Sequence, residues 1–547
     1  MPNEPRDDVH ITDIENKLEQ ARHLLGEERF QEALTLCKRI SSENADNPTA
    51  LMLQGNAHSQ LWNFPDAISC LESAINLRPD FPEANYHLGN TWALLGKHEK
   101  ALPYLDKATR LMPDYVSAWL LQAESFEALG QFIRAVECYE HAVKLQSENP
   151  KAWIALARTQ QKLGNIEAAE KHYRTVLEIN PALPDIHNNL GLIYQNEERI
   201  DEAEKEYRIA LKHNPAHTKA LVNLSNILRA RDDLPAALAA LKQALVHHPD
   251  RADLHYNFGI ILIDMKQYHD AERSFKDALK IKPDYGLAHT RLGDLYRLAG
   301  NREGSELHYR QSIDLNTEDK DYAAYMLAAL GTSNIPTKSP ANYVRDQFDN
   351  YAERFDRHLV DELGYKVPEY LYQAVHLTLR NTAKTYNIID LGCGTGLCGP
   401  LFRDIASHLT GIDLSKKMIN KAHKRGVYDV LHTGEIVEFL RLKNRTYDII
   451  LATDVFVYIG DLSDIFNVCE QALTLGGLFA FSIEVSNNDP SYTLNTSGRY
   501  SQTPRYIHEL IDTTGFTEIQ SHNVTLRHEN NIPVNGQIFV LRSGTNK

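Results

Sequence analysis

One stretch, NIIDLGCGTGLCG at 387–399, concentrates the residue types best suited to binding a ligand by its backbone. Gly392, Gly394 and Gly396 lack Cβ atoms, so the chain there can turn sharply and approach a bound molecule closely. A helix opening after the loop would present free N–H groups to the same molecule. Two carboxylates stand at strand ends beside it, Asp390 ahead of the loop and Asp413 in LTGIDLS. Read literally, Gly394-x-Gly396-x-x-Gly399 also satisfies the dinucleotide fingerprint. Three features count against that reading. Asp390 would repel a pyrophosphate but welcome a cationic ligand. Asp413 follows Gly399 by 14 residues, short of the usual spacing. The tail, GFTEIQSHNVTLRHENNIPVNGQIFVLR, reads as a hairpin foreign to that fold. Cys393 and Cys398 lie inside the loop without matching metal ligands, so small-residue packing explains them and no metal is expected. His432, His508 and His522 are isolated and read as structural.

The elements that position this loop follow from periodicity. NIIDL, LTGIDL, DVLHT, TYDIILA and GLFAFSI are short apolar runs separated by helical stretches. That alternation predicts a parallel sheet built from βαβ units, closed by the antiparallel hairpin. Ahead of it, 341–385 reads as helices with aromatic and Leu positions on one face. They are expected to form a lid, with Tyr351 and Phe355 either its contacts to the ligand or part of its packed core.

Residues 14–319 obey a different rule. Pro79, Pro113, Pro181, Pro215, Pro249 and Pro283 share one 34-residue register, with Ser147 in its single gap. Small residues form a second column (Gly55, Gly89, Ala123, Ala157, Gly191, Ser225, Gly259, Gly293), and alanines a third from Ala33 to Ala271. Rings recur at Tyr139, Tyr173, Tyr207, Phe275 and Tyr309. Each unit reads as two amphipathic helices meeting closely at the small residues. The rings are expected to fill the groove between one pair and the next, and Pro to end the second helix. The expected organisation is a polar tail (1–13), about nine repeats (14–319), a capping helix and linker (320–340), the lid helices (341–385) and the ligand-binding core (386–547).

These repeats resemble the tetratricopeptide repeat, an all-α solenoid. Asn189, Asn223 and Asn257 share one slot in three consecutive repeats, with His87 and Arg291 replacing Asn elsewhere. The O-GlcNAc transferase family carries a similar asparagine ladder that grips peptide backbone, because an amide offers both a donor and an acceptor. The resemblance implies a protein or peptide ligand in the groove. A solvated polar face is the plainer account of the same residues.

DLGCGTG resembles motif I of the class I S-adenosylmethionine-dependent methyltransferases, whose core is a Rossmann-like α/β domain. That resemblance implies S-adenosylmethionine as cofactor. Asp390, Gly392, Gly394 and Gly396 would hold its methionine end, and Asp413 with Leu414 its ribose. Glu435 and Ile436 would meet adenine, and Thr453 and Asp454 the sulfonium side. From YVRDQFDNYAERFDRHLVDELGY through DVFVYIGDL the chain is similar to the predicted bacterial methyltransferases that carry tetratricopeptide repeats. DVFVYI is not the Asp/Asn-Pro-Pro-aromatic box that acts on base or amide nitrogen, and the paired-glutamate loop of arginine methyltransferases is missing. The methyl acceptor and the catalytic residue stay open. Three activities follow from the resemblance: a methyltransferase whose repeats recruit protein, a scaffold with a cofactor-sensing or silent domain, and a small-molecule enzyme whose repeats serve assembly.

Composition narrows the setting. The 547 residues carry 58 Lys/Arg against 73 Asp/Glu, a formal charge of −15, which disfavours a nucleic-acid binder. Six cysteines cannot form a disulfide framework in a chain of this length. No apolar run reaches membrane-spanning length and MPNEPRDDVH is no targeting segment, so a cytoplasmic protein is expected.

Overall fold

The computed structural model describes residues 6–43, 46–352, 354–379, 385–486, 491–529 and 532–544. Two compact units divide the chain, residues 1–223 and 224–547, with the boundary inside helix α13 (Thr218–Ala230).

Within both units the repeats are helical hairpins, from α1 (Arg6–Gly26) and α2 (Phe30–Glu43) to α17 (Gly286–Leu298) and α18 (Arg302–Asp314). Helix α1 opens at Arg6, inside the stretch read as a tail. The small-residue column sets how closely each pair approaches. A Cβ on Gly55 would lie 2.5 Å from Leu71 Cγ, and one on Gly191 2.5 Å from Tyr207 Cε1. Gly259 and Gly293 stand in the same relation to Phe275 and Tyr309. Tyr207, Phe275 and Tyr309 are therefore seated within their own hairpins, each against its glycine, and not only between successive pairs. All five rings of the column are essentially inaccessible. A further column escaped the sequence reading. The turn inside each repeat has positive φ at Glu28, Trp62, Gly96, Gly130, Gly164, Glu198, Asp232, Lys266 and Gly300, and only four of the nine are glycine.

Helix α19 (Lys320–Ala329) ends the array. The following stretch, read as a linker, is tied down by backbone and side chain. Thr337 accepts from Gly460 N at 2.8 Å and Asp461 N at 3.0 Å, Ser339 N donates to Tyr458 O at 2.9 Å, and Pro336 O accepts from Tyr500 at 2.7 Å. Helix α20 (Ala341–Tyr351), a π-helical turn (Arg357–Glu362) and α21 (Val367–Thr378) lead into the sheet.

The strands are β1 (Tyr386–Leu391), β2 (Ala406–Asp413), β3 (Val430–Thr433), β4 (Tyr447–Ala452), β5 (Leu473–Glu484), a small hairpin β6 (Tyr492–Leu494) and β7 (Tyr500–Gln502), then β8 (Thr517–Glu529) and β9 (Ile532–Arg542). The large sheet has the order β3-β2-β1-β4-β5-β9-β8, in which β9 alone runs antiparallel to the rest and pairs that way with both β5 and β8. The β8–β9 hairpin matches the reading of the tail, and its turn at 530–531 lies outside the described residues. The β6–β7 hairpin had no counterpart in the sequence reading.

Alternate side chains face opposite layers. Ile388, Ile449, Leu451 and Val540 pack with Leu371 and Val375 of α21 and Phe402 of α22 (Gly399–Phe402). Ile389, Leu391, Ile450, Phe479 and Phe481 pack with α24 (Ile436–Arg441), α25 (Ser463–Ala472) and α26 (Pro504–Thr514). Helix α23 (Lys416–Arg425) follows β2. Strand order reverses between β1 and β4, which opens a crevice at the C-terminal ends of these strands.

Candidate functional site

In that crevice lies a cavity of about 550 Å³. The glycine loop forms one wall, with φ of 64°, 54° and 87° at Gly392, Gly394 and Gly396, a region costly to other residues. A Cβ on Gly392 would lie 2.6 Å from Val455. On Gly394 it would meet nothing closer than Phe355 Cε1 at 3.9 Å, so this glycine leaves open space toward the cavity. Asp413, at the end of β2, locks the loop in place. Its Oδ2 accepts from Gly394 N at 2.9 Å and its Oδ1 from Ser415 N at 2.8 Å. Burial raises its pKa, and those N–H groups offset part of the rise.

Of the residues singled out in the sequence, Gly392, Gly394, Asp413, Leu414, Glu435, Ile436, Thr453, Asp454, Tyr351 and Phe355 line this cavity. Asp390 and Gly396 do not. Gly396 packs against Tyr428 and Ala422. Asp390, 1% exposed, lies beneath the loop, with Oδ2 accepting from the Tyr428 hydroxyl at 2.6 Å and Oδ1 without a partner among the described residues. Burial pushes its pKa up to about 7. Glu435 also serves its helix, accepting from Glu438 N at 2.9 Å as N-cap, and its other oxygen lies 3.3 Å from Lys338 Nζ.

On the far wall Thr453 and Asp454 were singled out in the sequence, but the arginines behind them were not legible there. Asp454 follows β4 with φ of 57°, its N–H held by Ser482 Oγ at 2.9 Å. Arg527 of β8, 1% exposed, has Nη1 3.3 Å from both Asp454 oxygens, Nη2 3.0 Å from Glu484 and Nε 2.8 Å from Glu529. Arg499, which lines the cavity, also pairs with Glu529. A buried guanidinium requires such partners, and together they fix Asp454 in its strained backbone. No spacing signals a partner 73 residues away.

The segment over the cavity is aromatic. Tyr351 and Phe355 have ring centres 5.4 Å apart, Phe348 lies 5.5 Å from Tyr458, and the Tyr351 hydroxyl is bonded to His358 Nδ1. Asp349 accepts from Ser415 Oγ at 2.5 Å, while Asp356 accepts from Thr395 Oγ1 and pairs with Arg425.

The three asparagines lie elsewhere, Asn189 and Asn223 in the first unit and Asn257 in the second, all half-buried. Asn223 Nδ2 donates to Asn188 Oδ1 at 3.0 Å, so this asparagine faces protein as well as solvent. Among the described residues no group of His, Cys, Asp and Glu is arranged to hold a metal, and no helix is long and apolar enough to cross a membrane.

Sheet order, glycine loop and β2 carboxylate define the second part of the chain as a class I methyltransferase domain, carried behind an array of tetratricopeptide repeats. A family model described as a methyltransferase domain matches residues 389–481, and tetratricopeptide-repeat models match 53–116, 116–159, 161–197, 188–253 and 252–285. Malonyl-[acyl-carrier protein] O-methyltransferase 1 of Ilyobacter polytropus is 31% identical over 139 residues, 25% of this chain and 47% of that protein. Malonyl-[acyl-carrier protein] O-methyltransferase of Bacillus anthracis is 33% identical over 98 residues, 17% and 36% respectively. The chain thus spans half or less of these relatives. The solved C-terminal part of a TPR repeat-containing protein from Cytophaga hutchinsonii is 14% identical, with a TM-score of 0.40, covering 44% of this chain and 98% of that one.

Proposed function

We propose that this protein is an S-adenosylmethionine-dependent methyltransferase whose repeats recruit a protein or peptide that is its substrate or partner. The observation carrying the cofactor assignment is the Asp413 carboxylate, bonded to Gly394 N and Ser415 N at the edge of a 550 Å³ cavity. The donor set fits that molecule. Gly394 leaves room for its methionine end while Gly392 turns the loop against Val455, Asp413 and Leu414 meet the ribose, and Glu435 with Ile436 takes adenine. Thr453 and Asp454 face the sulfonium side. Asp390 acts on the methionine end from beneath the loop, through the backbone it supports together with Gly396. When bound, S-adenosylmethionine supplies a methyl group on a positively charged sulfur that is its own leaving group.

The chain has then to align an acceptor, exclude water and take up a proton where one is released. Phe348, Tyr351, Phe355 and Tyr458 exclude water from above. Tyr351 and His358 give a hydrogen-bonded pair at the cavity wall able to hold a proton. The two relatives carry the names of enzymes acting on an oxygen of a carrier-protein-borne group, which favours an acceptor presented on protein. A small-molecule acceptor, or a domain that senses the cofactor without turnover, would leave the cavity just as it is.

Calorimetry with S-adenosylmethionine tests the cofactor, with micromolar or tighter binding expected. Lysate incubated with methyl-labelled cofactor tests the acceptor. Label in protein that disappears with an Asp413→Ala enzyme supports the proposal, and label confined to small molecules overturns its acceptor class. Binding without any label would leave a sensing scaffold in its place.

A further inference from the structure

The segment roofing the cavity is held from two sides. Toward the cofactor loop it is fixed by Asp349 on Ser415 Oγ and Lys417 N, and by Asp356 on Thr395 and Arg425. Its other attachments run to residues between Asp232 and Tyr322, in the last three repeats and the helix after them, all within the same compact unit. At its start, Tyr343 packs against Tyr322 of α19 with ring centres 4.6 Å apart and the rings tilted by 32°. The Tyr322 hydroxyl donates to Asp294 at 2.7 Å, as does Tyr309 of α18, and Arg291 pairs with the same carboxylate at 3.0 Å. At its far end Arg357 donates to Asp232 at 3.0 Å and Arg354 lies 3.8 Å from Asp264. Asp232 occupies the positive-φ turn after α13, and Asp264 ends α15 (Ala252–Asp264). Between these anchors fall Tyr351, Phe355 and His358, which line the cavity.

We infer that Asp232 and Asp264 are positioning residues of the cofactor site, acting through Arg357 and Arg354, so that the seventh and eighth repeats help hold the roof closed. This rests on the cofactor reading above. By linkage, whatever displaces these repeats lowers cofactor affinity, and bound cofactor stiffens the repeats in return. The pairs are partly exposed, so each contributes modestly and their sum is what is measured.

The test uses the full chain and S-adenosylhomocysteine as probe, read by calorimetry, with hydrogen exchange of 341–363 as an independent readout. Asp232→Asn with Asp264→Asn should weaken binding roughly three- to tenfold and raise exchange in the roof. Asp264 also pairs with Arg229, so the cleaner cycle uses the other pair. Asp232→Arg and Arg357→Asp should each weaken binding, and the two together should restore it to within about twofold. Unchanged affinity and exchange in the double Asn protein, or no rescue by the swap, overturns the inference. A wild-type chain that binds no probe defeats the cofactor reading instead, and exchange in the roof then decides the positioning role alone.

Discussion

Asp413 and Asp390 are both buried carboxylates at strand ends, yet their partners give them different work. Asp413 meets two backbone N–H groups and opens onto the cavity, so its charge is solvated by the loop it shapes. Charge-assisted bonds to two ligand hydroxyls contribute on the order of 1.5–3 kcal/mol each. Asp413→Ala should therefore weaken S-adenosylmethionine binding at least a hundredfold in calorimetry, and affinity within twofold of wild type would sink the ribose assignment. Among the described residues Asp390 has one donor, Tyr428, and one oxygen with none. With its pKa pushed from 3.8 up to about 7, the folded protein keeps that proton over a range where the unfolded chain has lost it. Stability contributed there is full below about pH 4 and declines as pH rises toward 7, by roughly 4 kcal/mol for three units. Asp390→Asn removes this term, so the difference between wild-type and variant urea midpoints should shrink and reverse in favour of the variant between pH 4 and 8. Parallel pH profiles would count against the burial account.

At the scale of elements, the repeats have one recurrent weak point. Every inner turn needs a left-handed residue, and Glu28, Trp62, Glu198, Asp232 and Lys266 provide it without being glycine. Such a residue costs about 1–2 kcal/mol, against about 0.5–1 kcal/mol of extra chain entropy for glycine. Lys266 is exposed and well suited to the comparison. Lys266→Gly should stabilise the second unit by about 0.5–1 kcal/mol, seen as a higher denaturant midpoint with unchanged slope. Gly164→Lys, which runs the same exchange backwards at φ 80°, should lower it in the first unit.

For the whole molecule, the methyltransferase domain does not end where its sheet does. Tyr325 donates to Gly498 O at 2.8 Å, Arg297 to Thr496 O at 2.7 Å, and Tyr309, Met326, Leu494 and Tyr500 share one core. A chain of residues 341–547 would expose Leu494 and Tyr500, which are at most 5% accessible here. It should melt with less cooperativity and bind a hydrophobic dye, whereas residues 215–547 should melt as one unit. Equal behaviour of the two would mean that this shared core contributes little. For the first unit, Asn189→Ala with Asn223→Ala should weaken a bound peptide by one to two orders of magnitude in a fluorescence titration, at about 0.5–1.5 kcal/mol per amide. The Asn223 bond to Asn188 means a small loss of thermal stability should accompany it.

The sequence alone determined whatever depends on local spacing. The 34-residue register specifies helical hairpins because small and bulky residues must meet at one height in each pair, as Gly191 meets Tyr207. Alternating apolar strands and helices specify the parallel sheet, and the loop glycines with Asp413 mark the strand ends at which its cavity opens. The tertiary structure decided what hangs on residues far apart in the chain. Arg527 reaches Asp454 across 73 positions, and Arg357 reaches Asp232 across 125. The stretch 332–340 has the Pro, Ser and Thr of a linker, yet Gly460, Tyr458 and Tyr500 hold it in place. A buried ion pair or a pinned strap leaves no periodic mark, because its energy comes from desolvated partners that only folding brings together.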